Sequence, residues 1–117
     1  MHDSHDDNRL PIQRLEVYAL AKDFARMVHE AGIKDRELRD QATRASKSVF
    51  LHLCEGLPNK GTAMRRKYFT GAQNSLNETV GAIDLAEAIG STSPEHSQEL
   101  QSLALRLHQI IAALMRK

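Results

Sequence analysis

Cysteine occurs once in these 117 residues, as Cys54, and tryptophan not at all. A single thiol excludes an internal disulfide and any multi-cysteine metal site, and it fits a reducing cytosol. Aromatics are confined to three Phe and two Tyr, and β-branched runs are missing, so little in the chain favours a sheet. Proline is limited to Pro11, Pro58 and Pro94, positions where helices would begin or be separated. Apolar runs are only a few residues long, far short of the roughly 20 that cross a bilayer, and no signal-like segment opens the chain, so a cytoplasmic protein without membrane contact is expected. Net charge is +1, which rules out a global polyanion binder and leaves nucleic-acid binding to local clusters. The sequence has no GxSxG, P-loop, HExxH or CxxC, and no Glu-x-x-His pair of the kind that lines di-metal bundles. Neither an enzyme nor a cofactor is expected.

What is present is helical periodicity. The chain reads as one all-α domain over residues 9–117, an antiparallel up-down-up-down four-helix bundle, preceded by a flexible acidic tail over 1–8. His2 and His5 among Asp3, Asp6 and Asp7 have metal-ligand chemistry, but such tails are more often simply solvated. The first helix should start near Leu10 or Pro11, capped by Asp7 or Asn8, and run to Ala31 before Gly32. Val17, Ala21, Phe24, Val28 and Ala31 form its seam, and Leu15, Tyr18, Leu20, Ala25 and Met27 widen its apolar face. Asp35 should cap the second helix, whose seam is Leu38, Ala42, Ala45, Val49, Leu53 and Gly56. Leu57 to Gly61 is a turn. The third helix, from about Thr62 to Ile89, carries Phe69, Ala72, Leu76, Val80, Ile83 and Ala86, with Gly90 as its stop. Ser93 followed by Pro94 opens the fourth, with Leu100, Leu103, Leu107, Ile110, Ile111 and Leu114 on its apolar face.

Three constellations remain after the core is assigned. Beside the second helix's seam runs a polar stripe, Gln41, Arg44, Ser48, His52 and Glu55, on which Arg44 is placed to meet Glu55 or Glu78 in an ion-pair network. Buried, such a network would make Arg44→Ala cost on the order of 3 kcal/mol. On the third helix a line of small or polar residues, Gly71, Ser75, Glu78 and Ala82, permits close approach, and a neighbouring subunit is expected there. Lys60, Arg65, Arg66 and Lys67 cluster at the start of the same helix, where exposed amides and cations together make a positive spot suited to phosphate. The competing reading pairs these cations with Glu55 and the last carbonyls of the second helix. Cys54 lies beside Glu55, which raises a thiol pKa, so a buried, inert thiol is expected. His29, His96 and His108 are expected to be exposed or at the core boundary.

Gln41-x-x-Arg44-Ala45-x-x-Ser48-Val49, Leu53-Cys54-Glu55-Gly56 and Phe69-x-x-Ala72-x-x-Ser75-Leu76-x-Glu78 together resemble the four-helix-bundle family of 23S rRNA intervening-sequence proteins. His52 stands where that family usually has Asn, and Cys54 where it has Ala. The match is close in the second and third helices and looser in the first and fourth. The resemblance implies a small cytosolic bacterial protein without an assigned activity. The family is similar to the accessory protein of diversity-generating retroelements, a basic pentameric barrel that binds nucleic acid and a reverse transcriptase. By that resemblance the chain is expected to form a homopentamer. Two functions follow as expectations: binding of RNA or DNA backbone through the basic cluster, or, alternatively, assembly with a protein partner as an adaptor.

Overall fold

The computed structural model describes residues 8–117; the acidic tail and its His and Asp residues lie outside this range, apart from Asn8. A 3-10 turn, Pro11–Arg14, precedes four α-helices: α1 Glu16–Glu30, α2 Arg36–Gly56, α3 Thr62–Ala88 and α4 Pro94–Met115. No strand occurs among the described residues. Each helix packs on its chain neighbours and α4 returns to α1, which closes the bundle; the α2–α3 hairpin has the most extensive contact.

The start of the first helix differs from the sequence expectation. Gln13 N–H bonds the Leu10 carbonyl and Leu15 N–H the Ile12 carbonyl, both at i to i−3 spacing, while the Gln13 side chain accepts from Leu10 N–H at 2.8 Å. These bonds tighten the segment into a 3-10 turn, and Leu15 ends it at an extended ψ of 141°. The α-helix therefore begins five residues after Pro11. Leu15 is consequently 43% exposed instead of packed on the helix face. Asp7 lies outside the described residues, and the residue preceding the turn is Leu10, not Asn8.

The remaining ends follow local chemistry. Asp35 accepts from Leu38 N–H at 2.9 Å, and Ser93 accepts from His96 N–H at 3.1 Å ahead of Pro94. Gly32 and Gly90 take φ of 68° and 75°, the left-handed conformation that lets a helix stop without a Cβ clash. The two links they begin are tied together: Lys34 N–H bonds the Ser91 carbonyl at 2.9 Å, and Asp35 N–H bonds Ser91 Oγ. This cross-link seats Ile33, which lies in a link but is fully buried.

The core follows the seams. Val17, Ala21, Phe24 and Val28 of α1 meet Leu38, Ala42, Val49 and Leu53 of α2, Phe69, Ala72, Leu76 and Ile83 of α3, and Leu100, Leu107 and Ile111 of α4. Each large side chain so buried contributes about 1.5–3 kcal/mol. Two positions shift by one residue from the apolar pattern. Thr79 is fully buried and Val80 only partly so, because Thr79 Oγ1 donates to the Ser75 carbonyl at 2.7 Å and enters the core with its polarity satisfied. Ala104 takes the buried place on α4, leaving Leu103 and Ile110 at the boundary.

Candidate functional site

The polar stripe lies along the α2–α3 seam, and each member within reach meets a residue of the small line on α3. Arg44 approaches Glu78 at 3.2 Å, and Gln41 Nε2 donates to the same carboxylate oxygen at 3.4 Å. One rung further, Ser48 Oγ and Ser75 Oγ are 2.8 Å apart. At the next rung His52 lies against Gly71, so closely that a Cβ there would sit 2.5 Å from His52 Cδ2. His52 Nδ1 is 2.8 Å from the Ser48 carbonyl, which can only accept, so Nδ1 carries a proton and donates it there. Tyr68 continues the line, its ring centroid 6.4 Å from that of His52.

Of the two carboxylates expected for Arg44, Glu78 is the one it meets. The Arg44 and Glu78 side chains are 74% and 41% exposed, so their pair is a surface ion pair and the buried-network cost does not apply. Glu55 is exposed and takes no part in it; no basic residue lies in the last turn of α2. Gly71, Ser75 and Glu78 face α2 of their own chain, and Ala82 is buried at 6%.

The basic cluster is divided by the structure. Arg65 is turned inward: it donates to the Leu57 carbonyl at 3.0 Å and, at 3.5 Å, to that of Asn59, and its guanidinium lies 4.8 Å from the Phe69 ring centroid. It thus serves the exposed carbonyls after α2, as the competing reading required of one cation. Glu55 pairs with none of them. Lys60, Arg66 and Lys67 are exposed and have no ion-pair partner among the described residues; Lys67 Nζ lies 5.7 Å from the Tyr68 ring centroid. Arg65 and Arg66 also share a small cleft with Thr62, Phe69, Leu114, Met115 and Lys117. The end of α4 therefore brings Lys117 to the same end of the bundle, with exposed Arg116 beside it in sequence. Antiparallel packing explains the addition, since the start of α3 lies beside the end of α4.

Cys54 is half-buried, not fully buried. Burial first, and the Glu55 carboxylate second, push its thiol above the ordinary range, which favours the protonated form at neutral pH. His29, His96 and His108 are exposed. Among the described residues no three His, Cys, Asp or Glu side chains are grouped to hold a metal, and no helix is long and apolar enough to cross a membrane.

The arrangement has a counterpart among solved structures. A protein of unknown function from the S23 ribosomal protein family of Bacteroides thetaiotaomicron superposes with a TM-score of 0.77 at 15% identity, covering 86% of this chain and 99% of its own. At that identity the likeness carries the fold. No curated protein matches the chain. Residues 13–113 match the model of the 23S rRNA-intervening sequence proteins, a span that takes in the first three helices, all but the last two residues of α4 and every buried core residue, and the chain belongs to that family.

Proposed function

We propose that this protein is a non-enzymatic, cytoplasmic, homo-oligomeric bundle that binds the phosphate backbone of RNA or DNA through the end of the bundle carrying Lys60, Arg66, Lys67 and Lys117. The observation that carries the reading is the division of the cluster. Arg65 is held by backbone carbonyls, whereas Lys60, Arg66 and Lys67 point into solvent unpaired, so their charge is available to an anion. Phosphate contacts position a strand without reading sequence, and the aromatic groups near the cluster are few: Phe69 is buried and Tyr68 half-buried. A few such contacts give weak binding, about 10–100 µM or poorer at physiological salt.

Repetition around an oligomer would raise apparent affinity for strands long enough to reach several subunits. The homopentamer implied by the resemblance to the retroelement accessory protein is the assembly proposed. Fluorescence anisotropy with labelled RNA and DNA of increasing length tests the binding. Affinity should rise with length, fall steeply with salt, and be lost when Lys60, Arg66 and Lys67 are all changed to Ala. Arg65 is left in place, because its loss would disturb the α2–α3 turn. No retention of RNA or DNA even at low salt would overturn the reading.

The second reading, an adaptor that binds a protein partner, is favoured by a different feature. Leu51, Leu85, Ile89 and Leu105 are more than half exposed, and an open groove separates α3 from α4.

A further inference from the structure

The α3–α4 groove has a volume of about 820 Å³. Its apolar surface comes from Leu76, Val80, Ala104 and Leu105, and its acidic end from Asp84 and Glu87. No Lys or Arg lines it, and neither carboxylate has an ion-pair partner among the described residues. Because α3 and α4 are antiparallel, Glu87 and Asp84 lie level with Gln98 and Gln101, Val80 with Leu105, and Asn77 with His108. The groove therefore has a direction, acidic near the α3–α4 link and apolar further along.

Elsewhere on the molecule one ridge has the complementary order. Arg44, Lys47 and Leu51 are exposed along α2, Leu51 at 59%; Arg44 is paired with Glu78 of its own chain, and Lys47 has no ion pair among the described residues. Their spacings are three and then four residues. Read backwards along α3, Glu87, Asp84 and Val80 have the same spacings, three and then four. On two antiparallel helices equal spacings give equal rises, about 4.5 Å and then 6 Å. Lys47 can thus stand opposite Asp84, and Leu51 over Val80 and Leu105, while Arg44 keeps its pair with Glu78 of its own chain beside Glu87 of the neighbour. One step beyond, Glu55 comes to the end of the groove that holds His108.

We infer that the occupant of the α3–α4 groove is α2 of a second copy of this chain, laid antiparallel to α3 with Lys47 against Asp84 and Leu51 against Leu105. Ridge and groove are different surfaces of one subunit, so the contact is head-to-tail. It generates a ring where the rotation closes and a filament where it does not. The inference rests on the homo-oligomer proposed above and names its contact; the nucleic-acid surface at Lys60, Arg66 and Lys67 lies outside both faces. Burial of the two leucines supplies attraction, and the charges fix direction and register.

The test is a charge swap read by sedimentation velocity at micromolar concentration. Lys47→Glu and Asp84→Lys each place like charges face to face and should weaken self-association about tenfold or more. The double variant K47E/D84K restores opposite charges and should regain most of the lost association. Neither residue has an ion pair among the described residues of the chain, so circular dichroism should show the helix content of the unmodified protein. Leu105→Glu gives an independent reading from the apolar end and should also weaken assembly. If all these variants assemble as the unmodified protein does, the contact is elsewhere although the oligomer stands. If each single swap weakens assembly but the double variant gives no recovery, the pairing is refuted. An unmodified protein that sediments as a monomer overturns the inference and the oligomer together.

Discussion

Gly71→Ala, made with and without His52, reads the tightest approach between α2 and α3. An alanine Cβ would lie 2.5 Å from His52 Cδ2 and 2.6 Å from Nε2, whereas carbon atoms in contact settle near 3.5–4.0 Å, so the ring must retreat by about 1 Å. It is not free to do so, because Nδ1 is anchored to the Ser48 carbonyl at 2.8 Å and lies 3.1 Å from Ser48 Oγ. Losing that anchor costs about 0.5–1.5 kcal/mol, and an off-rotamer side chain costs about as much again. Against this, alanine in a helix interior gains about 0.8–1.0 kcal/mol over glycine. Gly71→Ala should therefore leave stability unchanged or lower it by up to about 2 kcal/mol. In the His52→Ala background the obstacle is gone, and the same substitution should stabilise by about 1 kcal/mol. The coupling between the two sites is then about 1–3 kcal/mol, well above the few tenths expected of independent positions. Urea unfolding of the four proteins at one fixed protein concentration measures it. A Gly71→Ala protein that is about 1 kcal/mol more stable with His52 present, or a coupling below about 0.5 kcal/mol, would refute the packing argument.

Four further outcomes follow. Gly81→Ala should stabilise by up to about 1 kcal/mol, since a Cβ there meets nothing within 4 Å; thermal melting checks it. Arg44→Ala should cost no more than about 1 kcal/mol in urea unfolding, because its pair with Glu78 is exposed. Arg65→Ala removes the donor to the Leu57 and Asn59 carbonyls, so it should destabilise by about 1–3 kcal/mol and raise hydrogen exchange in the turn around Asn59; an unchanged exchange pattern would count against its structural role. Cys54 has its thiol pKa raised, so the thiolate is scarcer than in an unhindered thiol at any given pH. Alkylation by iodoacetamide should be slow at pH 7 and reach half its maximal rate at a pH above that of a small-molecule thiol; a midpoint at or below the free-thiol value would contradict the burial argument.

The helix caps show how local some of this information is. Asp35, Ser93, Pro94 and the two left-handed glycines act through bonds and sterics spanning three or four residues, and each does what its residue type suggests. The seams are nearly as legible, because burial follows a period set by helix geometry. The pattern fails where a polar side chain satisfies itself: Thr79 enters the core through its bond to the Ser75 carbonyl, and no apolar periodicity signals that. It fails again at Pro11–Arg14, where proline compatible with an α-helix N-terminus also suits a 3-10 turn.

The candidate sites were legible as lists of residues and not as arrangements. Lys60, Arg65, Arg66 and Lys67 form one cluster in sequence, but only the path of the turn after α2 decides that Arg65 faces the Leu57 carbonyl while its neighbours face water. Lys117 joins them through antiparallel packing, which no linear pattern encodes. The small residues on α3 announced a close approach, and tertiary structure decided that its partner within the chain is α2, with His52 over Gly71 and Ser48 against Ser75. By itself the sequence determined the four helices, most of their ends and most of their buried faces, because these depend on bonds and periodicities within one segment. Which charges are spent inside the chain, and which are left for a partner, depends on groups distant in sequence, and there only the packing of the helices decides.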